Sequence, residues 1–196
     1  MAQPKRRATY DDLRQVPEWK VAELIDGELI VSPRPATPHA YAGSGMGADI
    51  RNGFDGAPGD PERPGGWWVL FEPELHFGND VIIPDQAAWR RDRLPVLPAV
   101  AFMTQAPDWV CEVLSPSTGT IDRGRKMRIY AREGVGHLWL VDPFARTLEV
   151  YRLDAEHRWV VANNYGGDDV VRAEPFAAVE LALERWWLPG TELSAG

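Results

Sequence analysis

Two short apolar stretches in the middle of the chain each contain one carboxylate. Residues 81–85 end on Asp85, and residues 109–114 contain Glu112, while every other residue in the two stretches is apolar. An ionised carboxylate inside a hydrophobic strand is costly unless it is paired or binds a metal. Both stretches are therefore predicted to be buried strands whose acids meet a cation.

A basic helix is predicted next, over residues 119–133, and it ends at Gly134. At 100° per residue, Arg125 lies on a stripe of arginines that is expected to be solvated and to meet phosphate. Lys126 lies on a second stripe with Asp122 and is expected to point at the sheet. Alone, Lys126 is most simply a packed stem whose amine reaches water. Beside two buried acids, a functional role is favoured.

Length and composition indicate one soluble globular domain. The chain has 196 residues and a mass of 21.9 kDa, with 44% hydrophobic residues. We expect a disordered N-terminus over residues 1–8, a single domain over 9–190 and a flexible C-terminus over 191–196. No stretch is long enough for a membrane span and no signal peptide is evident, so a cytoplasmic location is expected. The single cysteine, Cys111, excludes an intramolecular disulfide.

The charge balance bears on nucleic-acid binding. The net charge is −8 and the pI is near 5.0, which argues against a protein that coats nucleic acid nonspecifically. It does not exclude a nuclease, because a cleft is able to be locally basic and metal ions supply positive charge.

The order of predicted elements indicates an α/β (α+β) fold. Asp26 and Gly27 between two apolar runs predict an N-terminal β-hairpin. Helix is predicted from His39 to Phe54, and strand over 67–77, 81–89, 109–114, 137–142, 147–152 and 158–163. The strands come in a run, which is typical of a mixed central sheet flanked by helices rather than of regular βαβ alternation.

The combined pattern resembles a bacterial family of small putative restriction endonucleases within the PD-(D/E)XK nuclease superfamily. The resemblance covers roughly residues 20–152. It is carried by these segments and residues: 23–29, Ser32, Pro33, His39, 83–85, 111–117, Asp122, Lys126, Tyr130, Gly134, Val135 and 137–143. It implies a restriction-endonuclease-like mixed sheet.

The resemblance assigns roles residue by residue. Asp85 matches the aspartate of the family's Pro-Asp motif, and Glu112 matches its second acidic residue. Two positions later the superfamily pattern has lysine, whereas this chain has Leu114. In this family the catalytic lysine lies on the following helix, where Lys126 matches it. Glu23 matches a further acidic position.

The chemistry implied is Mg²⁺-dependent hydrolysis of DNA phosphodiester bonds, with Mn²⁺ as a substitute. Mg²⁺ prefers carboxylate oxygens and water. Asp85, Glu112 and Glu23 are the expected carboxylate ligands, and the Val113 carbonyl is a further one. Lys126 is expected to orient water or to neutralise charge on the phosphate.

Further residues near the proposed metal ligands are assigned supporting or structural roles. Tyr130, one turn after the lysine, is expected to hold it, and His39 matches a family histidine at a helix start. Two alternatives are weighed equally with these roles. His39 would cap the helix or bond a carbonyl instead of contacting substrate, and Glu23 would be a surface charge of the hairpin instead of a metal ligand. Asp122 is interpreted as a helix-start charge. The other three histidines lack metal-ligand spacing and are interpreted as structural: His76, His137 and His157.

Three hypotheses stay open. The favoured one is a Mg²⁺-dependent DNA endonuclease. Double-strand cutting by a single-site domain would favour a two-fold dimer, so a homodimer is expected. The second is a degenerate relative that binds nucleic acid or a protein without cutting. The third is an unrelated structural protein whose buried acids are neutralised by Arg123 or Arg125. Metal titration of wild type and of the Asp85→Ala and Glu112→Ala variants separates them.

Overall fold

A computed structural model describes residues 6–190. Residues 1–5, part of the N-terminus expected to be disordered, and residues 191–196, the C-terminus expected to be flexible, lie outside the described residues. Helix α1 covers Tyr10–Arg14 and begins with a capping box between Thr9 and Asp12. Strands β1 (Lys20–Ile25) and β2 (Glu28–Pro33) then form the predicted hairpin. Its turn has φ of 55° at Asp26 and 81° at Gly27, as a tight two-residue hairpin requires.

The next two predicted strands are each divided between two sheets, which corrects the sequence analysis. Residues 67–77 give β3 (Trp67–Phe71) and β4 (Leu75–Phe77), and residues 80–90 give β5 (Asp80–Ile82) and β6 (Gln86–Arg90). The breaks coincide with Pro73 and Pro84, which have no N–H to donate to a sheet. Asp85 therefore lies in the crossing between the sheets, not inside a strand.

The central sheet has six strands in the order β10 (Trp159–Gly166), β9 (Thr147–Leu153), β8 (His137–Asp142), β7 (Trp109–Val113), β6 and β3. Strand β7 pairs parallel with β8 and antiparallel with β6, so the sheet is mixed, as predicted. Strands β9 and β10 complete it. The N-terminal hairpin belongs to a second sheet of order β2-β1-β5-β4.

The helices flank the central sheet. Helix α2 covers Thr37–Phe54, in agreement with the prediction. The basic helix is continuous but not uniform: α3 (Gly119–Ile121) leads into a π-helical turn (Asp122–Lys126) and then α4 (Met127–Arg132). The prediction of one regular α-helix over 119–133 is wrong at this turn. The chain leaves the helix through Gly134, whose φ is 76°.

Two hydrophobic clusters cover the two faces of the central sheet. On one face α2 packs with the C-terminal segment, which contains β11 (Val170–Val171), β12 (Leu181–Ala182) and a 3₁₀ turn (Leu183–Trp186). On the other face the second sheet and α4 pack together. Strand β7 is buried along its whole length and contributes to both clusters. Among residues 6–190, no helix is long and apolar enough to cross a membrane.

Candidate active site

A cleft of about 540 Å³ opens where the second sheet meets the C-terminal end of β7. Its walls come from both N-terminal strands, the start of α2, the β5–β6 crossing and the segment that leads into the π turn. The following acidic and basic residues line it together: Glu23, His39, Asp85, Glu112, Asp122 and Lys126. The fold thus brings the predicted acids and the predicted lysine into one cleft, although they are far apart in sequence.

Asp85 is held at the crossing between β5 and β6 by two contacts. Its Oδ2 atom accepts a hydrogen bond of 2.6 Å from the backbone N–H of Val113, and its Oδ1 atom lies 3.3 Å from Nε2 of His39. Val113 directly follows Glu112 on β7. The two predicted carboxylates are therefore positioned by the same strand end.

Glu112 is 3% exposed and uses both of its carboxylate oxygens. The hydroxyl of Tyr130 donates to Oε1, and Nζ of Lys126 lies 3.2 Å from Oε2. Tyr130 was predicted to hold Lys126. Instead it holds Glu112, the carboxylate that Lys126 contacts.

Lys126 is 4% exposed, so its amine does not reach bulk water as in the simplest sequence interpretation. Its Nζ atom lies 2.9 Å from Oε1 of Glu23, and that Glu23 oxygen also accepts from the backbone N–H of Ile83. Glu23 points into the cleft from β1, and the alternative of a surface charge on the hairpin is wrong because Glu23 is 5% exposed.

Asp122 is a member of the site that the sequence analysis interpreted as a helix-start charge. It is 2% exposed, and its Oδ1 atom lies 3.5 Å from Nζ of Lys126. The available signal was the shared stripe, because residues four apart on a helix lie on one face. The interpretation failed because the first turn of this helix is buried against the cleft.

Burial and charge shift the pKa values of these groups. Burial raises the pKa of Glu112 well above its ordinary value, although Lys126 opposes the shift, and burial also raises the pKa of Asp122. Burial alone would lower the pKa of Lys126, but Glu112 and Glu23 outweigh it and raise that pKa well above its usual value. The ammonium form of Lys126 is thus strongly favoured in the folded protein.

His39 lies in the first turn of α2 and is buried. Burial opposes its charged form, but the hydrogen bond and charge of Asp85 outweigh burial and raise the pKa of His39. Its contact with Asp85 places it in the site rather than only at the helix end. The three other histidines lie outside the cleft, in agreement with their structural interpretation.

Arg125 does not face the cleft. Its guanidinium lies 3.0 Å from Asp26 and 2.9 Å from Glu28, and it also donates to the carbonyl of Ile25. It therefore fastens the π turn to the N-terminal hairpin. In this position Arg125 supports the site, in place of the expected contact with phosphate. The hairpin also carries Glu23, so this contact positions the site indirectly.

The third hypothesis fails on these contacts. Arg123 pairs with Glu149, and Arg125 pairs with the hairpin. Within residues 6–190, neither arginine lies within ion-pair distance of Asp85 or Glu112. The cation that meets the buried Glu112 is Lys126.

The Arg125→Met variant is expected to lower the free energy of unfolding by about 1–3 kcal/mol, because it removes the ion pairs of Arg125 with Asp26 and Glu28 and its hydrogen bond to the Ile25 carbonyl. Arg128→Met is the matched control, since the side chain of Arg128 is 72% exposed, and its effect should stay within about 0.5 kcal/mol. Urea unfolding of both variants measures the difference. Equal effects would show that Arg125 does not fasten the hairpin.

The donor set suits a hard divalent cation. Glu23, Asp85, Glu112 and Asp122 line the inner part of the cleft beside Lys126, and within residues 6–190 the buried Oδ1 atom of Asp122 has no hydrogen-bond partner. Mg²⁺ and Mn²⁺ favour such oxygens. As they stand, no three acids, histidines or cysteines of the described part of the chain are close enough together to chelate a metal ion.

The architecture is that of a restriction-endonuclease-like protein, with acids at the end of a central strand and a lysine on the next helix. Residues 7–184 match the family Uma2, described as putative restriction endonuclease. The chain belongs to this family.

A solved structure has the same fold. It is a putative nuclease belonging to DUF820 from Anabaena variabilis, with a TM-score of 0.71 and 24% sequence identity. The match covers 92% of this chain and 99% of that one. Among curated proteins, none matches this chain.

Proposed function

We propose that this protein is a divalent-cation-dependent endonuclease that hydrolyses DNA phosphodiester bonds. One observation carries the proposal: Asp85, Glu112 and Lys126 come from three separate elements and line one cleft. Membership of a restriction endonuclease family supports a nucleic-acid substrate. The choice of DNA and of Mg²⁺ or Mn²⁺ follows from the family description and from the oxygen-rich donor set.

Asp85 and Glu112 would hold the cation, with the Val113 carbonyl and Glu23 as further candidates. When bound, the cation supplies Lewis acidity toward a phosphate oxygen and makes a bound water more acidic. The backbone N–H of Val113 donates to one oxygen of Asp85, and the hydroxyl of Tyr130 donates to one oxygen of Glu112. These hydrogen bonds fix the orientation of both carboxylate groups. Such support lowers the reorganisation needed when the substrate arrives.

Lys126 would neutralise charge on the phosphate as it builds up during attack by water. Its raised pKa keeps the amine protonated over the physiological range, so it serves as a fixed positive charge and not as a general base. His39, next to Asp85, is in a position to hydrogen-bond substrate or water at the α2 side of the cleft.

The test is cleavage of plasmid and linear DNA with Mg²⁺ or Mn²⁺, together with calorimetric metal titration. The wild type should cut DNA only with a divalent cation, and the Asp85→Ala variant should lose both metal binding and cleavage. A wild type that neither binds a cation nor cuts DNA would overturn the proposal.

A non-catalytic nucleic-acid or protein binding module is the second candidate. The observation in its favour is that the Lys126 amine is engaged by three carboxylates and is not free in the cleft. Metal binding without turnover on any DNA would favour this candidate. We also propose a homodimer, because double-strand cutting by a one-site domain favours a two-fold pair of sites. Light scattering that shows only monomer would contradict it.

A further inference from the structure

Trp19 is an exposed tryptophan beside the cleft. It is 71% exposed, whereas every other tryptophan of residues 6–190 is buried or half-buried. Its two neighbours in sequence, Glu18 and Lys20, both line the cleft and are exposed, so Trp19 stands at the mouth of the cleft. A large aromatic ring left in water at the edge of a cleft marks a contact with another molecule.

The backbone that carries Trp19 is a short, braced turn. The backbone N–H of Lys20 donates to the carbonyl of Pro17 across the turn, at 3.0 Å. The guanidinium of Arg34, which directly follows β2, donates to the carbonyl of Glu18 at 2.8 Å. Lys20 then begins β1. Since the turn is held on both sides, Trp19 is presented in place, and a partner that binds it orders little of the chain.

The charges at the mouth of the cleft favour an anionic partner. Arg14 and Lys20 are exposed and line the cleft, and neither forms an ion pair within residues 6–190. Most other arginines of these residues pair with an acid. The acids at the mouth are Glu18 and Glu72, and the guanidinium of Arg34 lies 4.0 Å from Glu72. Solvated cations of this kind contact the phosphates of nucleic acids.

We propose that Trp19, Arg14 and Lys20 form a binding site for an unpaired nucleotide of single-stranded DNA. The indole of Trp19 stacks on the base, and the two cations contact backbone phosphates. Proteins that bind single strands combine aromatic stacking platforms with a positively charged groove. A base within a duplex already stacks on its neighbours and must be unstacked before it meets a side chain. The inference rests on the proposed function, and it names DNA with a single-stranded stretch as the substrate class.

Fluorescence anisotropy of a labelled oligothymidylate tests the stacking contact, in EDTA so that no metal-dependent cleavage consumes the DNA. Trp19→Ala should weaken binding about 5- to 150-fold, the range for one stacked base, and Trp19→Phe should restore most of the loss. Binding of a blunt duplex should change less than about twofold. Tyr41→Ala is the matched control, because Tyr41 is 40% exposed and lies outside the cleft. No loss in Trp19→Ala, or equal losses on both DNAs, would overturn the proposal.

The phosphate contacts have a separate signature in the salt dependence of binding. Arg14→Met should reduce the slope of log affinity against log salt concentration by about 0.7, the value for one phosphate contact on a single strand. Trp19→Ala should leave this slope unchanged. Arg63→Met is the matched control, because Arg63 is exposed, forms no ion pair within residues 6–190 and lies outside the cleft. A slope in Arg14→Met equal to that of the control would contradict the proposal.

Failure of this site is distinguishable from failure of the proposed function. A wild type that cuts DNA, with single-strand binding that does not depend on Trp19, overturns the site and leaves the nuclease standing. A wild type that binds single strands through Trp19 but cuts no DNA with any divalent cation does the reverse. If Trp19 packs against a second copy of the chain instead, Trp19→Ala lowers the mass seen by light scattering without changing DNA affinity, which also overturns the site.

Discussion

The Glu112→Gln variant should cleave DNA about 10³-fold more slowly than wild type, which corresponds to roughly 4 kcal/mol of transition-state stabilisation. Glu112 receives hydrogen-bond donors on both oxygens, one from Tyr130 and one from Lys126. An amide in its place turns an NH₂ group toward one of these donors and removes a charge from the metal site. The loss should fall on the rate of the chemical step.

Single-turnover cleavage at saturating metal and DNA measures this rate. Glu149→Gln is the matched control, because Glu149 also accepts two side-chain donors, from Arg123 and Tyr151, but lies outside the cleft. Its rate should remain within about threefold of wild type, the size of effect expected away from the site. A rate for Glu112→Gln close to that of the control would remove Glu112 from the catalytic machinery.

The Lys126→Met variant should lose about 3–5 kcal/mol of unfolding free energy when metal is chelated, because removing one partner leaves buried charges uncompensated. Glu23, Glu112 and Asp122 would then face one another without a cation. Urea unfolding in EDTA measures the loss. Lys20→Met, at an exposed position, should change the same quantity by less than about 0.5 kcal/mol.

The loss in Lys126→Met should depend on pH with a definite sign. Burial raises the pKa of Glu112 and Lys126 opposes that shift, so removing the lysine raises this pKa further. A carboxyl whose pKa is higher in the folded state binds its proton more tightly there, so folding is favoured as the pH falls. The deficit should shrink between about pH 8 and about pH 5. A deficit that is constant over this window would show that the three carboxylates do not repel one another.

Local sequence patterns predicted much of the fold. The Asp26-Gly27 turn predicted the hairpin, and a continuous apolar run predicted β7 as a buried strand. These signals depend on a few neighbouring residues, so they are recognisable from the sequence alone. The placement of Asp85, Glu112 and Lys126 in one cleft was also predicted, from the family pattern rather than from local rules.

Other features depend on contacts between distant residues. Arg125 pairs with Asp26 and Glu28, which lie 99 and 97 residues away in sequence. A helical wheel could therefore not show that this arginine fastens the hairpin. The π turn was equally hidden, because a single turn of this kind is set by its surroundings and not by propensity. The regular wheel nevertheless placed Asp122 and Lys126 on one stripe.

The position of the hairpin has a consequence for how activity arises during synthesis. Glu23 leaves the ribosome early, but its contact with Lys126 and the docking of the hairpin through Arg125 need the helix that follows β7. Strand β7 in turn has one edge unpaired until β8 has been made. A growing chain therefore holds the separate parts of the cleft without the cleft itself. The cleft is therefore complete only once synthesis has passed β8.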